Sequence, residues 1–168
     1  MRLVSSLFLF PLLAACTFSA PQFETGVRFV KSISMAERDS EEPAGSRWLA
    51  SVGDQGAVVM PYSSEGLIVF ANANGNAIAF DGWTVRSIIG FGLESPMSIS
   101  GKEGERRFVM DGSEQLADCD SWQFADGVWE QACDNGLGSI SLDVNGNIQT
   151  IVMSLGKSLG NVTLRVAK

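Results

Sequence analysis

No histidine occurs anywhere in the 168 residues. That removes the commonest general base near neutral pH and the commonest zinc ligand together. A serine triad lacks its histidine, no Gly-x-Ser-x-Gly elbow is present, and the phosphate-loop and dinucleotide glycine fingerprints are missing. Basic residues are few: 12 Lys and Arg against 19 Asp and Glu leave a formal charge of −7. A chain of that sign is repelled by nucleic acid, so phosphate binding without sequence preference is not expected. Charged residues make up only 18% and apolar ones 45%, a balance that favours a folded core over disorder. Cysteine is scarce, at positions 16, 119 and 133.

What is present begins with a leader. Met1-Arg2 gives a positive start, and Leu3 to Ala15 form a mostly apolar run of 13 residues. A membrane-spanning helix needs roughly 20 apolar residues, so the run is too short to remain as an anchor. Ordinary signal cleavage wants small residues at alternate positions, and Phe18 spoils the obvious site ending at Ala20. Leu13-Ala14-Ala15-Cys16 instead resembles the lipobox of bacterial lipoproteins, whose cysteine is acylated and becomes the new N-terminus. Two or three acyl chains hold a membrane stably where one does not. Thr17 follows; by resemblance to lipoprotein sorting, the absence of Asp there favours the outer membrane, facing the periplasm.

The organisation expected is therefore a signal peptide over residues 1–15, a lipidated N-terminus, tether and first strand over 16–46, and one domain over 47–168. The tether includes a strand-like stretch from Val27 to Ile33 and a charged loop from Met35 to Gly45. From Arg47 onward, short apolar runs alternate with Asn74-Gly75, Asp81-Gly82, Asp126-Gly127 and Asn145-Gly146. Such dipeptides tolerate the positive φ angles of tight hairpins. No window keeps a helical period beyond about two turns; Ser113 to Ala117 is the one stretch expected to form a single helical turn. The fold class predicted is all-β, an antiparallel meander forming a barrel or a sandwich.

With Cys16 assigned to lipid, the remaining cysteines make a pair. If residues 124 and 128 flank the turn at Asp126-Gly127, Cys119 falls opposite Cys133, as a bridge requires. That implies an oxidising compartment such as a periplasm. Trp122 and Trp129 lie in the same hairpin, where core packing is the plainer reading and a sugar platform the sharper one. Asp118, Asp120, Asp126, Glu130 and Asp134 crowd it with carboxylates. Two of them at a set separation would suit a glycoside hydrolase, but acids on a polar strand face are commonplace. Asp143-Val144-Asn145-Gly146-Asn147 has oxygen ligands at alternate positions, yet its glycine is fourth where a calcium loop has it sixth, and no Glu closes it. No metal and no cofactor are expected. Asn72-Ala73-Asn74-Gly75-Asn76 repeats the pattern.

Two stretches resemble the YjbF/GfcB lipoproteins. In Asp81-Gly82-Trp83-Thr84-Val85-Arg86-Ser87-Ile88-Ile89-Gly90, Gly82, Val85, Arg86, Ser87 (for Thr) and Gly90 match that family's turn and Arg-bearing strand. Trp83 stands where the family has its first Arg, and one extra residue precedes the glycine. Asn145 to Leu164 is similar to its closing strands, without their usual Ser-x-Gln and proline features. The resemblance implies a non-enzymatic, all-β outer-membrane lipoprotein that assists capsule or exopolysaccharide export. Its partners would be the membrane, through lipid on Cys16, and polysaccharide. The alternatives carried beside it are an envelope-assembly lipoprotein binding an outer-membrane protein and, more remotely, a carboxylate-based glycoside hydrolase.

Overall fold

The computed structural model describes residues 47–101 and 104–167. The leader, Cys16, and the tether with its expected strand over 27–33 lie outside them. Thirteen strands follow one another: β1 (Trp48–Val52), β2 (Gln55–Ser64), β3 (Leu67–Ala71), β4 (Ala77–Phe80), β5 (Val85–Ile89), β6 (Met97–Ser100) and β7 (Glu105–Met110). The series continues with β8 (Ser113–Asp118), β9 (Gln123–Ala125), β10 (Val128–Cys133), β11 (Gly136–Leu142), β12 (Ile148–Ser154) and β13 (Asn161–Val166). They form a single antiparallel sheet ordered β8-β7-β6-β5-β4-β3-β2-β1-β13-β12-β11-β10-β9. The strip curls into a half-barrel. The fold is all-β, as the turn dipeptides predict.

The curl begins in β2. Gln55–Val59 pair with β1, and Met60–Ser64 pair with β3, so this one long strand is handed from partner to partner. Pro61 sits just past the last β1 partner, where a missing N–H is tolerated. Alternate residues then point inward along each strand. Trp48, Ala50 and Val52 do so on β1, Ile68 and Phe70 on β3, Met97 and Ile99 on β6, and Val162 and Leu164 on β13. Phe70, Ile78, Phe80 and Ile88 are fully enclosed. Each such side chain contributes about 1.5–3 kcal/mol relative to an exposed one.

The far ends of the strip meet at one place. Asp120 N donates to Ala132 O at 2.8 Å, Asp134 N donates to Asp118 O at 3.0 Å, and Cys119 is bonded to Cys133 between them. The pairing of 119 with 133 is as expected, but the route to it differs. Ala125 pairs with Val128 around a two-residue turn, not residue 124 with residue 128. Asp126 (φ 50°) and Gly127 (φ 78°) both take positive φ, the requirement of a type I′ hairpin. The one-residue offset between turn and bridge is absorbed at Ser121-Trp122, which belong to no strand.

Two further elements depart from the sequence reading. Ser113–Asp118 is strand β8 and not a helical turn, because pairing with β7 from Glu105↔Asp118 to Met110↔Ser113 overrides a weak local preference. Strand β6 was not predicted, being four residues long after Pro96.

Candidate functional site

Asp81 organises the turn between β4 and β5. Its Oδ1 accepts the backbone N–H of Trp83 at 2.9 Å and of Thr84 at 2.6 Å, the usual self-capping of an Asp-led turn. One residue later the ladder slips: Phe80 pairs with Val85 and Ala79 with Ser87, leaving Arg86 as the bulged residue. A bulge re-aims its side chain. Arg86 turns back so that Nε and Nη2 both donate to Asp81 Oδ2, each at 2.6 Å. Trp83, held in the turn, reaches across the fold to the disulfide hairpin. Its ring lies 5.6 Å from Trp122 and 5.2 Å from Trp129, which in turn lies 4.8 Å from Phe124. All three tryptophans are half-buried, and Phe124 is exposed.

Close to Asp81 and Arg86 lies Arg106 of β7, only 5% exposed. Its Nη2 donates to Gln131 Oε1, and Gln131 Nε2 donates to Asp120 O at 2.7 Å. Among the described residues that is the one hydrogen bond of the Arg106 side chain, and it makes no ion pair. Burial pushes its pKa below the ordinary guanidinium value, Arg86 pushes the same way, and Asp81 opposes both. Gly138 on β11 leaves room here: a Cβ at that position would lie 3.4 Å from Trp122 Cη2 and 3.9 Å from Arg106 Nη1. Asp81 is thus paired with Arg86, and Arg106 stands near both without an ion pair among the described residues. The arrangement suits recognition of a flat or ring-bearing anion.

The five family-motif positions therefore belong to one hairpin. Gly82 has φ 101° in its turn, Val85 is core, Arg86 is the bulge, and Ser87 is half-buried on β5. Gly90 (φ 78°) packs so closely that a Cβ would collide with Asn76 Oδ1, which accepts the N–H of Phe91 at 2.7 Å. Only Arg86 stands at the Trp-lined corner, beside Trp83, which replaces the family's first Arg. Asp118, Asp120, Asp126, Glu130 and Asp134 are all exposed. Cys16 lies outside the described residues. Asp143 holds its turn by accepting from Asn145 N at 2.8 Å and Asn147 N at 2.9 Å, and from Asn147 Nδ2. Asn72 does the same for Asn74 N and Asn76 N, so the two turns are alike in build.

Arg106 was missed in the sequence. Its signal was the phase of Glu105–Met110, where Arg106 alternates with inward Phe108; a charged residue in an apolar phase is the mark to look for.

No protein-family model matches the chain, and no curated protein matches it by sequence. In three dimensions it is similar to the hypothetical lipoprotein YmcC of Escherichia coli (K12), with a TM-score of 0.52 over 87% of this chain and 93% of that one. Identity between the two is 9%, so the likeness is one of fold.

Proposed function

We propose that this chain is an exported lipoprotein of the bacterial envelope, anchored by acyl chains on Cys16, that acts by binding rather than by catalysis. The observation that carries the reading is Leu13-Ala14-Ala15-Cys16 closing a short apolar leader. It is supported by a fold shared with a hypothetical lipoprotein and by the Cys119–Cys133 bridge, which suits an oxidising compartment. The anchor faces the periplasm from the outer membrane, and the task is accessory to export of capsule or exopolysaccharide. Support for that task is the resemblance around Gly82 to Gly90 together with the aromatic corner that Trp83 joins. Replacing Cys16 by Ser should move the protein from the membrane to the soluble fraction and abolish labelling by a fatty-acid analogue. Unchanged fractionation and no acyl label on the wild type would sink the anchor.

A second reading, an interaction lipoprotein for an outer-membrane protein, draws on the outer face of β2. Val58, Met60 and Tyr62 stand there at successive outward positions, about half exposed, flanked by Leu49, Ala71 and Val69 in register. Contiguous apolar surface of this kind often marks protein contacts. Photo-crosslinking from position 60 in cells separates the two: a specific protein adduct favours the second, its absence with loss of exported polysaccharide on deletion favours the first.

A further inference from the structure

We infer that the corner formed by Arg106, Trp83, Trp122 and Trp129 is a binding site for a singly charged acidic sugar, a uronic acid unit within a polysaccharide. The inference deepens the binding reading above and rests on it. Three observations lead to this ligand.

First, Arg106 is a buried cation whose side chain makes one hydrogen bond, to a neutral amide, among the described residues. A guanidinium carries five N–H groups in a planar fork, so most of its donor capacity is unused. Burying a charge without a counter-charge is costly, and a carboxylate is the group that fork fits best. Arg86 does not compete for that role, since Asp81 already neutralises it. Among the described residues, the corner is thus left with one positive charge that no ion pair matches.

Second, the wall beside that charge is aromatic. Trp83 lies 5.6 Å from Trp122, tilted, and 5.2 Å from Trp129, edge-on, and all three rings are half-buried against the core. Tryptophan faces suit the C–H faces of a sugar ring, which are apolar while the ring edge is polar. Third, Gly138 keeps the space between Trp122 and Arg106 clear of a side chain. The chain as a whole carries −7, so a polyanion is repelled over most of the surface and this corner is where one ring's carboxylate meets a positive charge. An open groove elsewhere, about 570 Å³ and lined by Phe108, Met110 and Leu155, offers only acidic charges, Glu94, Asp111 and Glu114.

The test uses the full-length lipidated chain in detergent, with a short oligogalacturonate and its methyl-esterified, uncharged counterpart as probes. Titration calorimetry and tryptophan fluorescence should show the acid binding about tenfold or more tightly than the ester. Arg106→Met, which keeps the stem and removes the charge, should erase that preference and leave the weak ester binding in place. Trp83→Leu should weaken both probes alike. No binding of the acid, equal binding of acid and ester, or an unchanged preference in Arg106→Met would each overturn the assignment. If the acid fails to bind while Cys16→Ser still leaves the membrane, the ligand falls and the lipoprotein reading stands.

Discussion

The hairpins β4–β5 and β11–β12 are built by the same device and put to different ends. In each, an Asp at the start of the turn accepts two backbone N–H groups through one carboxylate oxygen: Asp81 from Trp83 and Thr84, Asp143 from Asn145 and Asn147. In each, the ladder then slips by one residue, at Arg86 in β5 and at Gln149 in β12. In each, the bulged side chain reaches back to the Asp's other oxygen, Arg86 at 2.6 Å and Gln149 at 3.5 Å. The difference lies in what the device carries. The second hairpin is closed with neutral amides and presents Val144 to solvent. The first carries a guanidinium and a tryptophan, both placed against Arg106 and the disulfide hairpin. Local turn physics is common to both; the cation and the ring mark the one that joins the corner.

Breaking the shared device should hurt the first hairpin more. Asp81→Ala strands two backbone N–H groups and the Arg86 guanidinium, and should lower unfolding free energy by about 2–3 kcal/mol in urea titrations. Asp143→Ala leaves only neutral donors without their acceptor and should shift the urea midpoint less than half as far. Equal shifts would show that the charge adds nothing to the turn. Exchanging the bulged residues sharpens the contrast. Arg86→Gln should cost about 1 kcal/mol or less, while Gln149→Arg should leave the midpoint unmoved, because its partner is reachable by water. A pH dependence is also expected of the second hairpin. The side chain of Asn147 and its backbone N–H, with lesser help from those of Asn145 and Gly146, hold the Asp143 carboxyl below the usual carboxylate range against the opposing effect of desolvation. A depressed folded-state pKa contributes stability that is present above the unfolded value, about 3.9. That contribution is lost as pH falls through the lower folded value. Asp143→Asn should therefore flatten the wild-type decline in stability on acidification; an unchanged slope would refute the contribution.

These features were unequally legible in the sequence. Asn-Gly and Asp-Gly marked the turns because positive φ is a local demand that few residues meet. The pairing of Cys119 with Cys133 is also legible, although the turn flanked by Ala125 and Val128 lies one residue from the position that pairing implies. Bulges are invisible to a period-of-two reading, and the slip at Ser121-Trp122 is such a case. Strand β8 was hidden because five of its six residues are exposed, which leaves no alternation to detect. The Asp81 hairpin was flagged by family resemblance and the Trp122–Trp129 pair by composition. Nothing along the chain said that they touch. Residues 83 and 122 meet only because the strip curls, a long-range consequence that no local window contains. Arg106 needed both pieces of knowledge, its strand phase and the identity of the wall it faces.

The meeting of residues 118–120 with 132–134 also closes part of the sheet's border. A strip of strands with two open borders is a template for addition of further strands, and hence for filament growth. Here the bridged stretch occupies one end of that border, β9 offers only three residues, and β8 carries Glu114 and Asp118 along the rest. The covalent clasp thus covers part of a sheet border that would otherwise be open to strand addition, as well as stapling the fold.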